Sequence, residues 1–359
     1  MQKIIYSNDG CNIETMMMTT PASRQALQAQ LFPQGIPRLW CPALTHFRAT
    51  REPDAARIRA HFKVLARHVR GLLVPGSTGE GWEMNDADIR ALLGIVLDAA
   101  AESGMCVLIG VLKTGVDEML SCVDAMEEFR AHPAVVGLTI CPPKGAALTQ
   151  AEIADSLRRV LARGWATALY QLPQITQNEM SAETVAALAA EFPNFVLFKD
   201  TSGTDRVAQS GLDFGGVFMV RGAEVGGYAQ WSRAVGGSYD GFLLSSANVF
   251  AGELAEMLRL LDRGDLSAAQ ALSAKLEEVV SAAFAIVIGF PHGNAFTNAN
   301  KVLDHCLAHG EHATRVEPPL LYSGVRLPMD FVEQSVELLR KHALFPARGY
   351  LALLPPMPI

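Results

Sequence analysis

The sequence has no run of basic residues and no interleaving of basic with aromatic side chains. With a formal net charge of −7 it offers no electrostatic footprint for a phosphate backbone, so no nucleic-acid partner is expected. Long apolar runs are missing too. The longest near-apolar stretch, 279–290, is far too short to cross a bilayer, which takes about 20 residues, so no membrane partner is expected. The opening MQKIIYSNDGCNIETMMMTT has no clean apolar segment behind a basic start, so no secretory leader is expected. The six cysteines (Cys11, Cys41, Cys106, Cys122, Cys141 and Cys306) never fall in CxxC spacing. Scattered through 359 residues they read as reduced thiols, which fits the cytoplasm. No GxGxxG follows an early strand, which counts against a doubly wound dinucleotide-binding sheet.

What is there is an alternation. Short β-branched or apolar runs recur at 38–44, 71–74, 105–111, 135–141, 166–172, 195–199, 217–222 and 239–244. Between and after them helical periodicity is expected over 53–69, 86–102, 115–130, 149–163, 181–191, 204–211, 224–234 and 248–262. Asn85 stands before an acidic first turn. Ser181 has Thr184 three residues on in place of Glu, so only part of a cap is visible there. Eight strand–helix units in about 220 residues match the size of a (β/α)8 barrel, a TIM barrel. Beyond 263 the pattern turns helical, over 266–288, 294–309 and 328–342, with Gly and Pro between. The expected organisation is an N-terminal extension over 1–35, flexible or peripheral, then a barrel over 36–263 and a C-terminal helical appendage over 264–359.

In such a barrel the chemistry sits at the C-terminal ends of the strands. Strand six ends in Lys199, within FVLFKDTSG. An ammonium there is either a lysine reaching out to a carboxylate such as Asp200 or an amine kept neutral by burial. A neutral amine attacks a ketone and forms a Schiff base. Strand five carries Tyr170, either a core tyrosine or a proton carrier. Strand two runs into Gly76-Ser77-Thr78-Gly79-Glu80. That turn is either a plain strand–helix connection or a cradle of hydroxyls and N–H groups for a carboxylate.

Taken together, GSTGE (76–80), LYQLP (169–173), FKDTSG (198–203) and SSANV (245–249) resemble the dihydrodipicolinate synthase / N-acetylneuraminate lyase family from about Leu39 to the C-terminal helices. The resemblance implies a lysine Schiff-base lyase, an aldolase or dehydratase. It would act on pyruvate, another 2-keto acid or a keto-deoxy sugar acid, with no metal or organic cofactor. Lys199 would form the imine and Tyr170 would shuttle protons. Ser77, Thr78 and Gly79 would hold the carboxylate, and Thr201, Gly222, Glu224 and Ser245 would line the substrate site. A homo-oligomer, dimer or tetramer, is implied as well. Departures narrow the substrate. Ile175 stands where the synthase branch has an arginine, which argues against that condensation. Cys141-Pro142-Pro143 stands where relay tyrosines are usual, and Glu224-Val225 keeps one acid of a pair. Two other readings stay open, a synthase-like condensation of pyruvate with an aldehyde and a keto-acid-binding protein without catalysis. His305, His309 and His312 share a helical face but lack a fourth ligand, so a solvated helix end is the expected reading. His46 and Arg48 follow strand one and could reach the barrel mouth. For Asp240 a turn or bulge role is expected.

Overall fold

The structure, a computed structural model, describes residues 23–353. Eight parallel strands close into a barrel in sequence order. They are β1 (Leu39–Pro42), β2 (Gly71–Val74), β3 (Cys106–Val111), β4 (Val135–Ile140), β5 (Thr167–Gln171), β6 (Phe195–Asp200), β7 (Phe218–Arg221) and β8 (Gly241–Leu243). Strand β1 pairs with β8, which leaves no open edge. The helices are α1 (Arg24–Leu31), α2 (Ala55–Leu65), α3 (Asp86–Glu102), α4 (Val116–Ala125), α5 (Gln150–Leu161), α6 (Pro173–Thr176), α7 (Ala182–Glu191), α8 (Ala247–Asp262), α9 (Leu266–Val287), α10 (Ala295–His309) and α11 (Met329–Lys341). No helix of the described residues is long and apolar enough to cross a membrane.

Period-2 alternation sorts the strand side chains into two cores. Leu39, Leu72, Val107, Leu169, Phe198 and Met219 point outward, into the layer shared with the helices. Trp40, Leu73, Leu108, Ala168, Val220 and Leu243 point inward and fill the barrel. Gly71 makes room for this filling, because a Cβ there would come within 2.3 Å of the Trp40 ring.

Local caps explain several helix starts. Asn85 and Asp88 form a reciprocal capping box on α3, and Ser181 Oγ accepts from Thr184 N on α7 at 3.2 Å.

Three expectations need correction. Residues 204–211 form turns and no helix, with Asp205 in the left-handed region at φ 55°. Residues 224–234 hold only short 3-10 turns at Ala229–Trp231 and Arg233–Val235, because Gly226 and Gly227 both take positive φ and break the ladder. Part of the stretch expected to be a flexible or peripheral extension is the helix α1, and its Arg24 is buried. The remainder, residues 1–22, lies outside the described residues. Leu27, Leu31 and Phe32 seal the floor of the barrel against its inward core. Arg24 fixes this plug by donating to the carbonyls of Phe195 (2.6 Å), Phe192 (3.0 Å), Phe214 (3.4 Å), Ala189 and Gly215.

Candidate active site

Lys199 and Tyr170 are register partners on β6 and β5, so their side chains enter the barrel side by side. Lys199 is 4% exposed and forms no ion pair among the described residues. Its Nζ lies 3.9 Å from the centroid of the Tyr170 ring. Burial pushes its pKa down to about 7, with negative charge on Cys141, Glu224 and Cys41 working the other way. Burial pushes both thiols up, so at neutral pH the carboxylate of Glu224 is the charge that Lys199 feels. Asp200 is no partner for it. Strand alternation turns Asp200 outward, where it accepts from Ser202 N (2.9 Å) and from the Tyr239 hydroxyl (3.3 Å).

Tyr170 is buried as well, and burial raises its pKa. The hydroxyls of Thr201 and Ser77 face the phenol and pull that pKa back down. Among the described residues Thr201 Oγ1 completes no hydrogen bond and is a buried polar atom without a partner. Gly222 is glycine for a steric reason. A Cβ there would lie 2.3 Å from Thr201 Oγ1 and 2.8 Å from Lys199 Cε.

The turn after β2 is tightly wound. Gly79 N and Gly81 N donate to Gly76 O (3.1 and 3.0 Å), and Glu80 N donates to Ser77 O (3.2 Å). Among the described residues the N–H groups of Ser77 and Thr78 donate to no backbone carbonyl, which leaves two donors for an anion. Gly79 sits under Ala43 O, 2.6 Å from where a Cβ would be. Ser77 Oγ accepts from Trp82 Nε1 at 2.8 Å.

Glu224 stands differently from the other candidates. Its oxygens accept from Ser245 Oγ (2.6 Å), Ser246 N (2.8 Å), Ser246 Oγ (2.8 Å) and Tyr228 OH (2.9 Å). Four donors saturate this carboxylate, so it fixes the turn after β8 and supplies charge near Lys199.

Some of the groups that shape the site escape a reading of the sequence. Thr297 of α10 donates to the carbonyls of Ser77 and Thr78, both at 3.1 Å. Lys301, one turn further on, is buried in an ion pair with Glu80. Behind β6 and β7, Arg221 forms a bidentate pair with Asp205 (2.9 and 3.1 Å), which also accepts from Tyr239 OH at 2.7 Å. An arginine ending the apolar run VFMVRG was the available signal, since a buried guanidinium needs partners.

The remaining candidates lie apart. His46 Nε2 is 3.4 Å from His61 Nδ1 and 3.7 Å from Asp304. His305 is tied to Ala313 O (2.9 Å) and rests against His309. Among the described residues no group of His, Cys, Asp and Glu could hold a metal ion. Asp240 accepts from Met219 N at 2.8 Å and tethers β8 to β7. A cavity of about 260 Å³ beside α10 and one of about 290 Å³ under the barrel floor are lined by neither Lys199 nor Tyr170.

Comparison with known proteins agrees with this fold. The model of the dihydrodipicolinate synthetase family matches residues 41–292. A 4-hydroxy-tetrahydrodipicolinate synthase of Stenotrophomonas maltophilia is 30% identical over 65% of this chain and 76% of its own. A protein of Saccharopolyspora erythraea named "Probable 5-dehydro-4-deoxyglucarate dehydratase" is 30% identical over 45% of this chain and 50% of its own. Among solved structures, a prophage protein of the dihydrodipicolinic acid synthase family from E. coli K12, in complex with pyruvate, superposes with a TM-score of 0.70. It shares 19% identity, over 86% of this chain and 99% of that one.

Proposed function

The chain belongs to the dihydrodipicolinate synthetase family, whose members are lyases of the lysine Schiff-base class, and from that premise we propose that Lys199 forms an imine with pyruvate or a longer 2-keto acid. One observation carries the reading, a buried lysine without an ion pair whose pKa is pushed down to about 7. At pH 7 about half of such a group is free amine, against on the order of one in 10³ for a solvated lysine.

The steps follow from the groups present. Ser77 and Thr78 offer their N–H groups to the carboxylate of the keto acid. The Nζ lone pair attacks C2, the N–C bond forms as the carbonyl electrons move to oxygen, and a proton passes from the new ammonium to that oxygen to give the carbinolamine. Tyr170, kept protonated by burial, passes its proton to the carbinolamine hydroxyl, which leaves as water. Thr201 and Ser77 flank the phenol and can return a proton to it. The protonated imine is then an electron sink for C3. Loss of a C3 proton to the Tyr170 phenolate gives an enamine, as does cleavage of the C3–C4 bond of a 4-hydroxy-2-keto acid, in which the C4 hydroxyl gives its proton to that phenolate and C4 leaves as an aldehyde.

The substrate beyond C3 separates an aldolase from a dehydratase. With Ile175 in the arginine position, efficient condensation with aspartate semialdehyde is not expected. The same reading puts the catalytic unit in 36–263, with 264–359 as a helical region. It extends to a homo-oligomer, dimer or tetramer, which the molar mass in solution tests.

The test of the reaction is borohydride reduction in the presence of pyruvate, followed by intact mass. A covalent adduct on the native protein, absent from Lys199→Ala, is expected. An adduct that forms on Lys199→Ala at the native rate would sink the assignment.

A further inference from the structure

One wall of the site is largely apolar at its rim. Register pairs Val111 with Ile140 and Tyr170 with Lys199, and one residue beyond the first pair Leu112 stands beside Cys141. Leu112, Cys141, Tyr170 and Leu172 form a buried apolar cluster distinct from the two main cores, and Trp82 and Ile175 pack on it from the rim. None of the six carries a charge at neutral pH, since burial holds the Cys141 thiol and the Tyr170 phenol protonated. Trp82 is held in place by its indole N–H on Ser77 Oγ at 2.8 Å. The nearby cation Lys113 is committed to Asp86 (2.9 Å) and to Met84 O (3.1 Å), so it does not answer the wall. Thr139 Oγ1, buried and without a partner among the described residues, lies on the inward face of β4 below this cluster, and the other polar groups (Thr201, Ser245 and the Ser77 turn) lie on the other strand ends.

Resting on the Schiff-base reading, we propose that the portion of the substrate beyond C4 is an uncharged, apolar chain or ring that lies on this β3–β5 wall. A keto acid anchored at Lys199 and at the Ser77–Thr78 turn has its carboxylate at β2, so its tail extends along the neighbouring strand ends. A terminal carboxylate buried there would be stripped of water with no cation among the six wall side chains to meet it, and a row of hydroxyls would lose its hydrogen bonds. An aliphatic or aromatic tail instead gains burial against Leu112, Leu172, Ile175 and the Trp82 face.

The experiment titrates the native full-length chain with 2-oxohexanoate, 2-oxoadipate and 2-keto-3-deoxygluconate. The borohydride-trapped adduct is read by intact mass, which requires no turnover. Half-saturation by 2-oxohexanoate is expected at a concentration at least about tenfold lower than for the other two, the scale on which apolar pockets discriminate. Ile175→Arg should reverse the order of 2-oxohexanoate and 2-oxoadipate. If the native chain traps with 2-oxoadipate or 2-keto-3-deoxygluconate as readily as with 2-oxohexanoate, the apolar-tail proposal is overturned while the Schiff base stands. If no keto acid is trapped, the Schiff-base reading falls and this proposal with it.

Discussion

At the scale of single residues the site sets stability against reactivity. Lys199 is buried without a counter-ion, and its pKa of about 7 lies below the value near 10.4 of an unfolded chain. Between those values the unfolded chain holds the extra proton, so this group makes stability rise with pH from about 7 to about 10. Imine formation needs the free amine, so the rate of borohydride trapping should also climb as pH passes through about 7. Glu224 raises the Lys199 pKa, and Glu224→Gln should therefore move that midpoint down. The same variant puts an amide NH2 among four donors and should cost about 1–3 kcal/mol in a denaturant titration. An unchanged trapping midpoint would mean that Glu224 does not set the amine. Lys199→Met removes the buried amine at similar volume. It should raise the melting temperature while abolishing the adduct, a trade of activity for stability that a scanning calorimeter and a mass spectrum read together. Tyr170→Phe keeps the ring beside Lys199 and removes only the hydroxyl that carries the proton. It should lower kcat by about 10²–10⁴-fold with a smaller change in KM. With Cys141 where a relay tyrosine is usual, only Thr201 and Ser77 flank the phenol. A Tyr170→Phe enzyme with unchanged kcat would take Tyr170 out of the mechanism.

Among the elements, α1 makes the clearest demand. Its guanidinium spends five donor contacts on five carbonyls at the N-terminal end of the barrel, with no carboxylate. Arg24→Ala should therefore destabilise the fold by about 1.5–3 kcal/mol, the range for hydrogen bonds to a charged group. Pyruvate trapping should persist, because Lys199 is at the other end of its strand. A denaturation midpoint equal to the native one would show that the plug contributes nothing. The sequence did not announce this element, since α1 is a short helix whose Arg24 reads as a solvent residue. The eight strands were legible because each is a short apolar run set off by turn residues, and the ends of strands five and six then placed Tyr170 and Lys199 at the barrel mouth. The loops after β6 and β7 were misread as helices. Their apolar spacing fits a helix, but Gly226, Gly227 and Asp205 take positive φ. The site's second layer stayed hidden for a different reason. Lys301 and Glu80 are 221 residues apart, and no local pattern links them.

Across the whole molecule that distant pair joins the helical region to the barrel mouth. Glu80 holds a left-handed backbone at φ 65° at the end of the candidate carboxylate turn, a conformation that persists only where the surroundings enforce it. Lys301 grips one of its oxygens, and the N–H of Tyr322 donates to the other at 2.7 Å. Lys301 also donates to Leu320 O at 2.8 Å, so α10, the 320–322 segment and the turn are tied together in one buried cluster. Thr297 adds its two bonds to the carbonyls of Ser77 and Thr78. The candidate carboxylate turn therefore has its shape held from outside by the C-terminal helices. Lys301→Met would leave Glu80 buried without its cation, a loss of about 3–5 kcal/mol when one partner of a buried pair is removed. Pairing it with Glu80→Gln should recover part of that loss, and the four denaturant titrations of the cycle give the coupling. Thr297→Val is the milder probe. It leaves the ion pair in place and removes only the donor to the turn. It should raise the concentration of pyruvate that half-saturates trapping, while the pH midpoint near 7, set by the surroundings of Lys199, stays where it is. Arg24→Ala, at the opposite end of the barrel, should not change that concentration. A Thr297→Val chain that binds pyruvate as the native one does would show that the turn keeps its shape unaided, and the helices would then be a cover for the barrel and not a support for its site.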